Sequence, residues 1–331
     1  MMNLTRATLV LLIASEMATW PLPLHSQQLA VPVIGFLTTA SEATRGGDQL
    51  TAFRAGLQEV GFAEGKNLRI EYRWANDDYD RLRVLAAELI RLRVAVIVTA
   101  GGPISALVAH DATKEIPIVF ATVADPVKAG LVTSFNKPGG NATGTAGLTS
   151  ELDAKRLEFL HAMKPTATLI GVLINPSRPG VDSELRELQE AGNKIGLKLE
   201  IQKAGSDQEI NNAFQAFASM RVGAVLVTAD SLFNNHRAQV LSLAAGYSLP
   251  AIYQWREFAA AGGLMSYGPS ITSAYYHAGV DAGLILKGSK PADIPVVEPS
   301  QFELVINRKT AETLSLRIPE MLLTTASEVI E

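Results

Sequence analysis

The feature that narrows the fold most is a change of hydrophobic period that repeats along the chain. From Val31, "VPVIGFLT" is a continuous apolar run of strand length, and residues 47–60 then carry Leu50, Phe53, Leu57 and Val60 at helical spacing. "NLRIEYRW" alternates as a strand with one polar face, residues 78–92 return to helical spacing, "VAVIVTA" is again continuous, and a helix over 104–112 leads into "IPIVFAT". Apolar strands separated by helices of this length predict βαβ units and a largely parallel sheet covered on both faces.

A second series of the same kind follows: "TLIGVLINP", a helix over 180–194, "LKLEIQKA", a helix over 207–219, "VGAVLVTAD", a helix over 234–245 and "LPAIYQ". Two such arrays exceed what one sheet needs. The expected fold class is therefore α/β, with two Rossmann-like lobes whose parallel sheets flank a ligand cleft. The boundary is expected in "NKPGGNATGTAGLTS", residues 136–150, poor helix material that can serve as a hinge strand. Beyond residue 264 come "GGLMSYG", a helix over 270–287, the Pro-rich "KPADIPVVEP" and the strand "QFELVINR". Such a tail can pass back to the first lobe and return. The expected division is 31–146 with about 268–298 in lobe one, and 147–267 with about 299–331 in lobe two.

Composition removes several function classes. Across 331 residues the formal charge is -4 and no Lys/Arg-dense tract occurs, which argues against nucleic acid or an anionic membrane as partner. The absence of cysteine removes thiolate nucleophiles, disulfides and Cys-ligated metals. The start, "MMNLTRATLVLLIASEMATWPLPLHSQQ", has one basic residue, an apolar stretch and then small and polar residues, as in a secretory signal ending near residue 26. The apolar stretch is too short to span a membrane as a helix.

In open α/β sheets ligands bind beyond the carboxyl ends of the strands. The segments there are "TTASEATRGG" with Thr39 and Ser41, "TAGGPIS" with Ala100, Gly101, Gly102 and Ser105, and "ATVADP" with Thr122 and Asp125. Their counterparts in the second array are "INPSRPG" with Asn175, "TADSLF" with Asp230, and "YQWREF" with Tyr253, Trp255 and Glu257, followed by Tyr267 after the next strand. Gly101 and Gly102 before Pro103 place a tight turn ahead of a helix whose first N–H groups can hold a carboxylate; the run has neither the dinucleotide glycine pattern nor a Walker lysine. Asp125 and Asp230 occupy equivalent strand ends, where each can pair a ligand ammonium or cap the helix that follows; Asn234 is available as a separate cap beside Asp230. Aromatic rings next to a carboxylate and an N–H cradle fit a free amino acid with an aromatic or large apolar side chain, although the same rings can be core.

Enzyme chemistry lacks its parts. Of five histidines, His25 falls within the signal, and His110, His161, His236 and His277 read as helical and distant from the strand ends. No H-E-x-x-H pair and no G-x-S-x-G elbow occur. Opposed carboxylates across a cleft leave glycosidase-type chemistry as a remote alternative.

The stretches "AFRAGLQEVGFAEGKNLRIEYRWA", "ATVADPVKAGLVTSFNKPGGNATG", "IYQWREFAAAGGLMSYGPS" and "YYHAGVDAGLILKGSKPADIPVVEPSQFELVINRKTAETLSLRIP" carry a resemblance. The chain resembles the ABC transporter substrate-binding protein family related to the tryptophan/tyrosine-binding transport component, over nearly all of residues 31–320. That resemblance implies a periplasmic binding protein of type I, exported across the inner membrane of a Gram-negative bacterium, which takes a small amino acid-like ligand to an inner-membrane permease and its ATPase. It implies no enzyme activity and no cofactor. A monomer is expected, since the cleft needs both lobes of one chain. A non-amino-acid solute such as an aromatic acid is the alternative ligand.

Overall fold

The computed structural model describes residues 31–42, 47–147, 150–178, 180–299 and 302–331. The signal expected over residues 1–26 lies outside them. Strands β1 (Val33–Thr38), β2 (Arg69–Trp74), β3 (Val96–Ala100), β4 (Ile118–Val123) and β5 (Ala142–Ala146) form a five-stranded sheet in the order β2-β1-β3-β4-β5, with every pair parallel. Helices α1 (Asp48–Glu59), α2 (Tyr79–Arg91) and α3 (Pro103–Ala112) connect the strands. The inner strands are buried on both faces, which is why they read as continuous apolar runs; β2, at the edge, alternates buried Ile70 and Tyr72 with more exposed residues. The strand order reverses between β1 and β3, so a crevice opens beyond their carboxyl ends.

The second lobe carries β6 (Leu169–Ile174), β7 (Lys198–Lys203), β8 (Ala224–Val227), β9 (Ala251–Tyr253), β10 (Met265–Pro269), β11 (Phe302–Asn307) and β12 (Glu328–Ile330), in the order β12-β11-β10-β9-β8-β6-β7. Its helices are α4 (Ser150–Met163), α5 (Val181–Lys194), α6 (Asp207–Ser219), α7 (Ser231–Asn235), α8 (Arg237–Gly246) and α9 (Arg256–Ala260). The sheet is parallel except where β11 runs antiparallel to β10. That exception follows from the path of the chain. Helix α10 (Ile271–Leu286) packs on α1 and on β3 to β5 of the first lobe, and Val297 pairs with Thr145 of β5. β11 therefore enters the second sheet from the end that faces the first lobe and runs against β10, while β12 pairs with it in parallel. Helices α11 (Arg308–Thr313) and α12 (Glu320–Thr325) precede β12.

The close approach of α1 and α10 depends on a reciprocal pair of glycines. A Cβ on Gly56 would lie 2.0 Å from the Tyr276 carbonyl oxygen, and one on Gly279 would lie 2.1 Å from that of Phe53. Two elements depart from the sequence reading for identifiable reasons. The helix expected over 234–245 starts earlier and breaks at His236, because Asp230 caps α7. Helix α4 has no counterpart in the sequence reading because its buried side carries Asp153 and Arg156 among Leu157, Phe159, Leu160 and Met163, and that charged pair interrupts the apolar period.

Asp281 of α10 is 5% exposed, and its Oδ2 has no hydrogen-bond partner among the described residues. Burial pushes this carboxyl up to about 7. The folded state then holds a proton that the unfolded chain has released, so stability falls as pH rises from about 4 to about 7 and stays low above that. Asp281→Asn is expected to raise stability by about 3 kcal/mol at pH 8 and to converge on wild type near pH 4. Denaturant titration of both proteins across that range checks it; a gain independent of pH would disprove burial of the charge as the cause.

Candidate ligand-binding cleft

The carboxyl ends of both sheets face one cavity of about 420 Å³. Gly101, Gly102, Thr122 and Thr145 line it from the first lobe, Arg178, Asp230, Ser231 and Trp255 from the second, and α10 adds Tyr275 and His277. The volume exceeds that of a single amino acid side chain, and the lining mixes rings, hydroxyls and charges.

On the first lobe the turn before α3 is built around backbone that only glycine adopts readily. Gly101 and Gly102 have φ of 78° and 93°, and a Cβ on Gly101 would lie 2.0 Å from Thr39 Oγ1. Thr39 donates its hydroxyl to the Gly101 carbonyl at 3.1 Å, which holds the turn against β1. The result is the amino end of α3 at the cleft, with Pro103 at its first position and no side-chain cap. Ser105 does not supply one, because its hydroxyl points back to the carbonyls of Ala100 at 2.6 Å and Gly102 at 3.0 Å. Free N–H groups and the helix dipole together favour an anion there. Thr145 adds a buried hydroxyl with no partner among the described residues.

On the second lobe Asp230 is the central group. Its Oδ1 accepts from Leu232 N at 2.8 Å and from Asn175 Nδ2 at 3.0 Å, and its Oδ2 lies 3.8 Å from Arg178 Nε. Burial pushes its carboxyl up, opposed by the Asn175 hydrogen bond and by Arg178. Asp230 itself, and not Asn234, is the cap of the helix that follows. Arg178 is paired with Glu184 behind the wall. Trp255 is 9% exposed and lines the cavity, while Tyr275 is hydrogen-bonded to the Gly101 backbone and ties α10 to the glycine turn.

Of the residues expected at the site, Gly101, Gly102, Thr122, Asp230 and Trp255 line the cavity. Thr39, Ala100, Ser105 and Asn175 stand behind it: Thr39, Ala100 and Ser105 shape the glycine turn, and Asn175 holds Asp230. Asp125 is outside. Its Oδ1 accepts from Val127 N at 3.1 Å and Lys128 N at 2.9 Å, its other oxygen pairs with Lys128, and the carboxylate thereby closes a turn ahead of Pro126 to Gly130. Ser41 lies in the loop after β1 and does not line the cavity. Tyr253 is fully buried and stacked on Phe258 at 4.7 Å; Tyr267 packs edge-on against Phe159 at 4.9 Å. The Tyr253 ring is core, and the partly buried Tyr267 ring packs against the core; neither lines the cavity. Glu257 is half-buried on α9, away from the cavity, with its carboxyl pushed up by burial. His277, expected to be distant, lines the cavity because α10 begins at the cleft. Arg178, Tyr275 and Thr145 were missed; only Arg178, in the loop after β6, lay in a segment that strand-end reasoning had marked.

The lobes touch along one edge of the cleft. Asn175 Nδ2 reaches the Tyr79 hydroxyl at 3.2 Å, and Asn235 Nδ2 donates to Asp77 Oδ1 at 2.6 Å. A Cβ on Gly102 would come within 3.9 Å of Ser231 Oγ. This is a closed arrangement.

Known proteins share both sequence and arrangement. A tyrosine-binding protein of Clostridioides difficile (strain R20291) is 29% identical over 265 residues, 80% of this chain and 76% of that one. A Streptococcus pneumonia ABC domain solved in complex with L-Trp is 27% identical with a TM-score of 0.80, covering 90% of this chain and 99% of that one. A ligand-free, open substrate binding protein with adhesive properties from Clostridium difficile is 26% identical over 91% of this chain and 99% of that one, yet its TM-score is 0.63. At nearly equal identity, the chain superimposes better on the L-Trp complex than on the open structure. The family described as ABC transporter substrate binding protein matches residues 40–330, and the chain belongs to it.

Proposed function

We propose that the ligand carried by this solute-binding component of an ABC importer is a zwitterionic amino acid with an aromatic or large apolar side chain. The observation that carries this reading is Asp230, a buried carboxylate on the cleft wall, placed close to the uncapped amino end of α3. An ammonium on Asp230 and a carboxylate on the α3 N–H groups would leave the side chain against Trp255 and Tyr275. Two relatives lend support: the tyrosine-binding protein and the chain solved with L-Trp. Delivery is to a membrane permease with its ATPase, as in the family as a whole.

A second reading, an aromatic acid without an amine, is favoured by Arg178, a cation on the same wall. Calorimetry of the folded protein with the twenty amino acids and a set of aromatic acids separates the two. Micromolar or tighter binding of L-Trp, L-Tyr or L-Phe is expected, and Trp255→Ala is expected to weaken it about 10- to 100-fold, in keeping with roughly 1.5–3 kcal/mol for a buried ring. Binding of aromatic acids but of no amino acid would replace the first reading with the second.

A further inference from the structure

Along the edge where the lobes meet, Tyr79 and Asn235 line the cavity, whereas Asp77 lies outside its lining. The segment after β2 bends through Asn76 and Asp77, both left-handed with φ of 54° and 61°, a conformation that Asn and Asp tolerate better than other side-chain-bearing residues. Their backbone N–H groups donate to Ala40 O at 3.2 Å and Thr39 O at 2.7 Å, so the bend is pinned to the end of β1. It presents the Asp77 carboxylate to the other lobe. Oδ1 accepts from Asn235 Nδ2 at 2.6 Å, and Oδ2 lies 3.4 Å from His236 Nε2. Two residues on, Tyr79 opens α2 and sends its hydroxyl to Asn175, whose same amide nitrogen also donates to Asp230.

We propose that Asp77 is an affinity-determining latch residue: reaching from the first lobe to Asn235 and His236 of the second, it holds the lobes closed over bound solute without touching the solute. Tyr79 is its companion, coupling closure to the position of Asp230. Three observations bear on this. Asp77 does not line the main cavity, whereas Asn235 does. The side-chain partners of Asp77 lie on the second lobe, so it has little to do within its own. The bend is held by backbone hydrogen bonds within the first lobe, so little further ordering is needed when the latch engages. A half-buried contact of this kind is also weak enough to reopen, as delivery requires. Closure itself is established by the differential affinity of solute for the closed form; the latch adds to that difference.

The probe is L-Trp or L-Tyr, so the binding arm of the test rests on the proposed ligand class. The chain has no cysteine, and dyes can therefore be placed on cysteines introduced at exposed Glu115 and Glu190, one in each lobe. Single-molecule energy transfer then reads the closed fraction with and without solute, and stopped flow reads dissociation. Asp77→Ala is expected to speed dissociation about five- to thirtyfold and to lower the closed-to-open ratio by a similar factor, with association nearly unchanged. Tyr79→Phe should act in the same direction. Thermal unfolding close to wild type shows that the loss is not one of folding. If wild type binds neither amino acid, the ligand reading fails, and the closed fraction without solute still decides the latch. An Asp77→Ala protein with unchanged closed fraction and unchanged dissociation overturns the proposal, as does a wild type that never closes with or without solute.

Discussion

Asp230→Ala is expected to weaken binding of the preferred amino acid by about 2–5 kcal/mol, the range for removing one partner of a buried, hydrogen-bonded charge pair. The same change removes the cap of α7, leaves Leu232 N without its acceptor and takes one of two acceptors from Asn175 Nδ2, so folding stability should fall as well, by about 0.5–2 kcal/mol. The stability loss stays the smaller of the two because burial already disfavours the carboxylate in the absence of a ligand ammonium. Asp230→Asn separates the roles: it keeps an oxygen for the cap and loses the charge, so most of the affinity should go while stability is largely kept. Asp125→Ala is the control. Its carboxylate serves only a turn and Lys128, and affinity should remain within about twofold of wild type. Calorimetry and denaturant unfolding on the three variants give both quantities; equal affinity of the Asp230 and Asp125 variants would remove Asp230 from the site.

The largest effect on folding is expected at Arg156. Arg156 and Asp153 are both fully buried one turn apart on α4, paired with one another, and Arg156 Nε donates to the Tyr267 carbonyl at 2.7 Å. Burial pushes the Asp153 carboxyl up, and Arg156 opposes that by favouring its charge. Arg156→Ala leaves a carboxylate in the interior without its cation, at about 3–5 kcal/mol. Burial without the cation raises the Asp153 carboxyl further, so the deficit grows as pH rises from the ordinary carboxylate range and is complete only above that raised value; as pH falls towards 4 Asp153 takes up a proton and the deficit shrinks. Replacing both residues by apolar ones of similar size, Asp153→Leu with Arg156→Met, should recover most of the loss, since it removes both desolvation penalties with the pair. Urea unfolding at pH 7 and pH 4.5 tests this. A single variant within about 1 kcal/mol of wild type at pH 7 would show that the pair is not what stabilises α4 against the sheet.

Strands β1, β3, β4, β6 and β8 and helices α1, α2, α5 and α6 were legible because each has an unbroken period that local burial alone explains. The family was legible too, in long ordered stretches around "ATVADPVKAG" and "IYQWREFAAAGG". What failed is instructive at two aromatic positions. Tyr253 and Trp255 lie two residues apart after the same apolar run, yet one stacks on Phe258 in the core and the other lines the cleft, because β9 ends at Tyr253 and Trp255 belongs to the turn into α9.

The sequence by itself determined the alternation of strands and helices, the two arrays and hence which segments follow strand carboxyl ends, since those depend on hydrophobic period and chain order alone. Only the tertiary structure decided which side chains in those segments line the cavity. Asp125 and Asp230 have the same local grammar, but Asp125 turns to its own loop while Asp230 is buried between Asn175 and Arg178. Tyr275 and His277 come from a helix that follows the second array in the chain and packs on the first lobe. The side-chain partners of Asp77, Asn235 and His236, lie on the other lobe, more than 150 residues away in the chain. Each of these outcomes depends on contacts between residues far apart in the chain, and no local period encodes them.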